Sequence, residues 1–232
     1  MPRMTLYNFW RSSCSHRVRI ALAMKGLEYE YVPVDLRAGE QAGAAHRDRS
    51  PTSYVPCLVV DGAAYVESVA IIELLEDLHP APPLFPRDPH GRARVRSLVE
   101  IVNSGIQPLQ NSGVMGYLAG VLGASPSPAA DGPIRAWLHH WLDRGLGALE
   151  RAMEANARAG VGGPYAYGEV PTAADVYLVP QVVAARRFGI AVERYPRVHG
   201  AFEAASRLEA FRKAAPENQI DADRSDAVKS AR

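Results

Sequence analysis

The chain is poor in cysteine, in net charge and in long apolar runs, and each shortage excludes a class of protein. Two cysteines in 232 residues are too few for a disulfide framework, and no His or Cys spacing typical of a metal site occurs. A formal charge of +1 gives no field that would hold nucleic acid or an anionic membrane. The first residues lack a signal-peptide pattern, and no stretch is long and apolar enough to span a bilayer. We therefore expect a cytoplasmic protein that binds neither nucleic acid nor membrane, and no metal.

The first 80 residues alternate strands and helices in the order of a thioredoxin-like domain. The pattern predicts strands over residues 4–8, 29–34, 57–60 and 63–66, and helices over 15–25 and 68–79. Asp61-Gly62 supplies the positive φ of a two-residue hairpin turn, and Ser68 is a fitting N-cap. Residues 36–54 predict a loop with a short helix. The order is thus βαβ followed by ββα.

A proline-rich stretch over residues 81–90 separates this domain from a region of helical periodicity. Five prolines between residues 80 and 89 rule out a helix there and favour an extended linker. Beyond the linker, helical periods cover residues 92–102, 109–122, 134–157, 173–188 and 198–215. Thr172 and Asp175 form a capping-box pattern, and Pro126, Pro128 and Pro133 predict a loop. We expect an all-helical domain over 91–216 and a frayed polar tail over 217–232.

A short polar loop before the first helix is the candidate chemical site. Ser12, Ser13, Cys14 and Ser15 lie where a strand feeds a helix, so backbone N–H groups and the helix dipole point at the loop. Such a site suits a thiolate, carboxylate or phosphate. No second cysteine stands three places from Cys14, which disfavours a thiol–disulfide oxidoreductase. Cys57, inside a strand, is expected to be a buried small hydrophobe.

Five segments carry a family resemblance, which covers about residues 4–216. They are FWRSSCSHRVRIAL at 9–22, YVP at 54–56, ESVAIIELLE at 67–76, GIQPLQN at 105–111 and LVPQVVAARRFGI at 178–190. Together they resemble the zeta class of glutathione transferases. The resemblance implies a thioredoxin-like domain followed by a helical bundle, glutathione as cofactor and a homodimer.

The resemblance also implies which residues form the site. Glutathione would be bound by Ser12, Ser13, Cys14, Gln41, Val55, Pro56, Glu67, Ser68, Gln107 and Asn111. Pro56 would be a cis-proline, and Glu67 stands where the class usually has Gln. Catalysis would fall to Ser12, Cys14, Arg11 and Ser13, and substrate binding to Arg11, His16, Arg187 and Arg186. We expect His16 to be partly exposed, and Arg17 and Arg19 to face solvent or support the loop.

The implied activity is a glutathione-dependent cis–trans isomerisation of a maleyl keto acid. The glutathione thiolate would add to the cis double bond, the resulting single bond would rotate, and elimination would release the fumaryl isomer. The motifs leave the substrate open between maleylacetoacetate and maleylpyruvate, and the dominant activating group open between Ser12 and Cys14. The alternatives are a general zeta-class transferase that conjugates or dehalogenates small electrophiles, and a non-catalytic dimerisation module of the same fold.

Overall fold

The structure is a computed structural model that describes residues 3–125, 127 and 131–222. These residues form two compact units. The first comprises residues up to Leu84 together with the segment from Arg207 onward, and the second comprises Phe85–Ser206. The segment 207–216, which the sequence assigns to the helical domain, therefore belongs to the first unit instead.

The first unit contains the predicted mixed sheet. Its elements are β1 Met4–Asn8, α1 Ser13–Met24, β2 Glu30–Pro33, α2 Ala44–Arg47, β3 Cys57–Val60, β4 Ala63–Val66 and α3 Ser68–Leu78. The strand order is β2-β1-β3-β4, with β1 parallel to β2 and the other two pairs antiparallel. Asp61 and Gly62 both have positive φ, 49° and 89°, as the tight hairpin turn requires. The βαβ and ββα order is confirmed.

Helix α1 is the most deeply buried helix of this unit and carries the candidate loop at its start. Every residue from Ser15 to Leu22 is buried, and the helix packs against α3 and against α9, Glu209–Ala214. At its other end, Lys25 Nζ contacts Glu76 Oε2 at 2.7 Å and the carbonyls of His79 and Pro82 at 2.6 and 3.0 Å. These bonds tie the start of the proline-rich stretch to the first unit.

The second unit is all-helical, as predicted. Its helices are α4 Pro89–Asn103, α5 Ser112–Leu122, α6 Pro133–Arg158, α7 Ala173–Arg187 and α8 Pro196–Ser206. Helix α7 is buried on nearly every side and packs against α4 and α8, as its almost continuous apolar sequence indicates. The predicted capping box of Thr172 and Asp175 begins it.

Three boundaries differ from the sequence prediction. Pro89, expected in the linker, is the first residue of α4, a position that tolerates proline because the N–H there has no partner within the helix. The period over 109–122 divides into a 3₁₀ turn, Gln107–Gln110, and α5. The period over 198–215 divides into α8 and α9.

The sequence predicts two irregular segments, the loop around Pro126–Pro133 and the tail over 217–232, and the structure describes each only in part. Pro126 and Pro128 lie outside the described residues, and Pro133 begins α6. The tail expected to fray over 217–232 is ordered as far as it is described. A 3₁₀ turn, Pro216–Asn218, leads to Asp221, which accepts hydrogen bonds from the Trp10 N–H and the Tyr31 hydroxyl. The remaining tail residues, 223–232, lie outside the described part of the chain.

Candidate active site

Ser12 is the N-cap of α1 and stands at the centre of the candidate loop. Its Oγ accepts a hydrogen bond from the backbone N–H of Ser15 at 3.2 Å, and its own N–H donates to the Phe9 carbonyl at 3.0 Å. The cap bond uses an oxygen lone pair, and a hydroxyl can donate its proton while it accepts. Ser12 can therefore cap the helix and donate to an anion at the same time.

Ser13 and Cys14 are the first two residues of α1. Both are half-buried, and Cys14 is a free thiol. The N–H groups of a first helical turn have no partner inside the helix and lie at the positive end of its dipole. Ser12, Ser13 and Cys14 thus bring hydroxyl, thiol and backbone N–H groups to the start of α1.

A second helix start, that of α3, holds a buried cation. Ser68 is the first residue of α3 and is buried, and its Oγ accepts a hydrogen bond from Arg17 NH1 at 3.1 Å. Arg17 is 0% exposed. Of the two expected alternatives for Arg17, a solvent-facing side chain is wrong. A buried arginine beside an N-terminal helix turn provides positive charge and N–H donors in the geometry that carboxylates bind.

Glu67 precedes Ser68 and has a strained backbone. Its φ is 67° and its ψ is 120°, and a positive φ is costly for a residue with a Cβ. Its side chain is exposed and does not cap α3. Residues with this kind of backbone strain cluster at ligand sites, so Glu67, which is exposed and adjacent to Ser68 in sequence, is a candidate ligand residue.

The Val55–Pro56 peptide bond is cis, as the resemblance implies. Val55 is buried in a cluster with Phe9, Trp10 and Val34, so the loop before β3 packs against the loop before α1.

The carbonyl of Tyr54, the residue before Val55, is held by two side chains. His46 Nε2 and Ser50 Oγ each lie 2.9 Å from this oxygen. Sequence reasoning missed both side chains because their partner is a backbone atom of an irregular loop.

Gln41 lies in a 3₁₀ turn, Glu40–Ala42, of the same unit. Its side chain is half-buried, and its Oε1 is buried without a hydrogen-bond partner among the described residues. Buried polar atoms in proteins are nearly always hydrogen-bonded. Gln41 therefore has unused hydrogen-bonding capacity, as a ligand contact would require.

Arg11 and Arg19 flank the loop in different ways. Arg11 is half-buried, with its guanidinium 5.5 Å from the centroid of the Trp10 ring. Arg19 is 1% exposed and donates to three carbonyls, those of Phe9, Trp10 and Ala214, at 3.4, 2.9 and 3.0 Å. Burial lowers the pKa of Arg19 to about 10, which leaves it cationic at neutral pH. Arg19 supports the loop, and the alternative of a solvent-facing side chain is wrong.

His16 is 2% exposed, so the expectation of a partly exposed side chain is wrong. Its Nε2 has no hydrogen-bond partner within the described part of the chain. Burial, and then the charge of Arg19, hold the pKa of His16 well below its usual value. The imidazole is therefore neutral at physiological pH and supplies no positive charge to a substrate carboxylate.

Four of the expected site residues belong to the second unit. Gln107 lies in the 3₁₀ turn before α5, and Asn111 is the N-cap of α5, with its Oδ1 accepting from Gly113 N–H at 2.8 Å. Arg186 and Arg187 are the last, exposed residues of α7. Arg186 pairs with the carboxylates of Glu193 and Glu203 at 3.3 and 3.7 Å.

Residues 3–125, 127 and 131–222 lack two kinds of feature. No group of three or more His, Cys, Asp or Glu side chains there has the arrangement of a metal site. No helix in these ranges combines the length and the apolar content needed to cross a membrane. The first unit has two helix starts of a kind that suits anions, one with Ser12 and the other with Ser68 and the buried Arg17.

Family models match both parts of the chain. The model described as glutathione S-transferase, N-terminal domain, matches residues 11–78, and that described as glutathione S-transferase, C-terminal domain, matches residues 140–204. A maleylpyruvate isomerase from Ralstonia sp is 42% identical over 218 residues, which cover 94% of this chain and 99% of that protein.

Solved structures are similar over nearly the whole length. A maleylacetoacetate isomerase from Anaeromyxobacter dehalogenans, with GSH (glutathione) bound in its active site, has a TM-score of 0.83 and 46% identity, covering 96% of this chain and 99% of that one. A second structure of that isomerase contains dicarboxyethyl glutathione and citrate in the active site. It has a TM-score of 0.83 and 46% identity, and covers 97% of this chain and 96% of that one.

Proposed function

Because the chain belongs to the zeta class of the glutathione transferase family, we propose that it is a glutathione-dependent cis–trans isomerase of a maleyl keto acid. The observation that carries this proposal is the capped start of α1. There, the Ser12 hydroxyl caps the helix, and the positive end of the helix dipole suits a thiolate. The similar proteins include isomerases of maleylpyruvate and of maleylacetoacetate.

Glutathione would span the two helix starts of the first unit. Its γ-glutamyl carboxylate would be bound by the guanidinium of Arg17 and by the hydroxyl and N–H of Ser68, which are already hydrogen-bonded to each other at 3.1 Å. The exposed carboxylate of Glu67 would accept the γ-glutamyl ammonium. The backbone of Val55, before cis-Pro56, would pair with the peptide part of the ligand.

Further glutathione contacts are proposed for three amide side chains. The buried, unpartnered Oε1 of Gln41 supports such a contact directly. For Gln107 and Asn111 the support is the family resemblance of the IQPLQN motif.

Ser12 would activate the thiol by stabilising its anion. A hydrogen bond to a charged group contributes about 1.5–3 kcal/mol, and a helix dipole contributes about 0.3–1 kcal/mol. Since one pKa unit corresponds to about 1.36 kcal/mol, these two effects can lower the thiol pKa by about one to three units. Ser13 and Cys14 would add N–H donors at the same helix start.

The thiolate would then attack the cis double bond of the maleyl group, and the carbon–carbon double bond would become single in the resulting enolate. Rotation about that bond and elimination of glutathione would give the fumaryl isomer. Arg11 would balance the charge of the enolate and a carboxylate, and Arg187 a second carboxylate. Dicarboxyethyl glutathione in a similar isomerase is glutathione bonded to a dicarboxylate, which supports a small dicarboxylate as substrate.

Two finer properties are also proposed. The protein would act as a homodimer, which the family resemblance supports. It would act in the cytoplasm, which two unpaired cysteines support because a reducing compartment keeps thiols free. Analytical ultracentrifugation at several concentrations tests the oligomeric state, and a sedimentation coefficient of a monomer throughout would contradict it.

The decisive assay follows the ultraviolet absorbance of maleylpyruvate and of maleylacetoacetate, each with and without glutathione. Glutathione-dependent loss of either substrate supports the isomerase, and the faster one identifies the preferred substrate. Ser12→Ala is expected to slow turnover more than it weakens glutathione binding. Ser97→Ala serves as its matched control, because Ser97 Oγ donates only to a helix carbonyl, that of Ala93.

Other outcomes point to the alternatives. Conjugation or dehalogenation of small electrophiles without isomerisation would favour the broader transferase. Glutathione binding without any reaction, or no binding at all, would favour the non-catalytic module. Full activity of Ser12→Ala would shift activation to Cys14, Ser13 or the backbone.

A further inference from the structure

The segment over residues 209–222 lies in the first unit and contacts the loop that carries Ser12. Helix α9 packs against α1, and Arg19 of α1 donates to the carbonyl of Ala214, the last residue of α9, at 3.0 Å. The contact joins residues 195 positions apart in sequence. We call the segment 209–222 the C-terminal clasp.

Asp221 is the residue through which the clasp reaches the loop. Its Oδ2 accepts a hydrogen bond from the backbone N–H of Trp10 at 3.2 Å. Its Oδ1 accepts a hydrogen bond from the hydroxyl of Tyr31 in β2. Burial, and then this hydrogen bond, raise the pKa of Tyr31, so the phenol stays protonated and acts as a donor. Asp221 thus bridges β2 and a residue two positions before Ser12.

The backbone of Trp10 is held on both sides. Asp221 binds its N–H, and Arg19 NH2 binds its carbonyl at 2.9 Å. Arg19 NH1 also binds Asn8 Oδ1 at 2.9 Å, at the end of β1. Because Ser12 N–H in turn donates to the Phe9 carbonyl, the position of the Ser12 hydroxyl depends on the geometry of this short loop.

The clasp also covers the apolar base of the loop. Ala222 packs against the cluster of Phe9, Trp10, Val34 and Val55. Phe9 and Trp10 precede Ser12, and Val55 precedes cis-Pro56. Ala222 of the clasp therefore packs against an apolar cluster that includes residues of both loops proposed to bind glutathione.

We propose that Asp221 is a positioning residue for the isomerase reaction, holding the backbone of Trp10 so that the Ser12 hydroxyl points at the glutathione sulfur. This inference rests on the proposed function. Asp221 itself does not touch glutathione or substrate. Its loss would let the loop move relative to α1, and a donor displaced by a fraction of an ångström stabilises the thiolate less.

The test is a variant series with a thiol titration as its readout. Asp221→Ala removes both bonds, Asp221→Asn keeps an oxygen for Trp10 N–H, and Tyr31→Phe removes only the hydroxyl bond. Glu217→Gln is the matched control, since Glu217 is an exposed acid of the same clasp. The ultraviolet absorbance of the bound glutathione thiolate, measured against pH, gives the thiol pKa without requiring turnover.

Asp221→Ala is expected to raise the pKa of bound glutathione by up to about one unit and to lower kcat by up to about tenfold below that pKa. The Kd of glutathione should stay within about twofold, because the γ-glutamyl end is held by Arg17 and Ser68. Asp221→Asn and Tyr31→Phe should lie between Asp221→Ala and the parent. Glu217→Gln should match the parent.

A thiol pKa in all three variants equal to that of the parent would overturn the inference, as would an equal shift in Glu217→Gln. If Asp221→Ala does not fold, Asp221→Asn and Tyr31→Phe decide by the same titration. If the parent binds glutathione but isomerises neither maleyl substrate, the proposed function fails, and the thiol titration still decides the role of Asp221.

Discussion

Replacing Arg17 by Met is expected to weaken glutathione binding by about tenfold to a hundredfold. Arg17 is fully buried and donates to Ser68 Oγ at 3.1 Å, where the γ-glutamyl carboxylate is proposed to bind. A hydrogen bond to a charged group contributes about 1.5–3 kcal/mol, and each 1.4 kcal/mol corresponds to about tenfold in Kd. Arg17→Lys should give a smaller loss, because lysine keeps the charge but not the planar fork of donors.

Calorimetry with two ligands separates this role from a structural one. Glutathione carries the γ-glutamyl group and cysteinylglycine does not, so Arg17→Met should weaken binding of the first and leave binding of the second unchanged. Turnover at saturating glutathione should change little, since the sulfur is held at the other helix start. Arg94→Met, at an exposed arginine of α4, is the matched control for removing one positive charge.

Two results would refute this reasoning. An unchanged Kd for glutathione in Arg17→Met would show that the guanidinium does not bind the ligand. An equal loss of affinity for glutathione and cysteinylglycine would show that Arg17 only supports the fold. A double-mutant cycle with Ser68→Ala gives the coupling directly, and residues that share one ligand group typically couple by about 0.5–3 kcal/mol.

Two further predictions concern stability. Because burial holds the pKa of His16 well below its usual value, the unfolded chain takes up this proton first as the pH falls. The free energy of unfolding should therefore decrease by up to about 1.4 kcal/mol per unit below about pH 6.5, and His16→Gln should lack that part of the slope in urea titrations. Asp175→Asn should lower the free energy of unfolding at neutral pH by about 1–3 kcal/mol, because an amide NH₂ would replace one of the oxygens that accept from Ala166 and Thr172 N–H at 2.8 Å. Equal urea midpoints for parent and Asp175→Asn would contradict this.

Local patterns allowed most elements of the fold to be predicted. The hairpin over residues 57–66 follows from Asp61-Gly62 between two apolar runs, and the apolar face after residue 68 predicts α3. The expected N-cap role of Ser68 is wrong, because Glu67 is the N-cap and the Ser68 hydroxyl accepts a hydrogen bond from Arg17 instead. The capping box of Thr172 and Asp175 involves neighbours in sequence. The residues that make these interactions are only a few positions apart in sequence. The sequence alone therefore predicts them without the tertiary structure.

The boundary between the two units could not be predicted in the same way. Residues 198–215 have one continuous helical period, yet α9 packs with α1 in the first unit rather than continuing α8. Periodicity shows that a segment has an apolar face but does not show which partner will cover it. Contacts with residues nearly 200 positions away decide that.

The sequence by itself determined the order of strands and helices, the place of Ser12 at a helix start and the resemblance that names glutathione as cofactor. Only the tertiary structure decided the positions of Arg17, Arg19 and Asp221. Arginine in a helix most often faces water, and an aspartate near a polar chain end gives no signal of its own. Their burial and hydrogen bonds depend on partners 51, 195 and 211 residues away, which only the folded chain brings into contact.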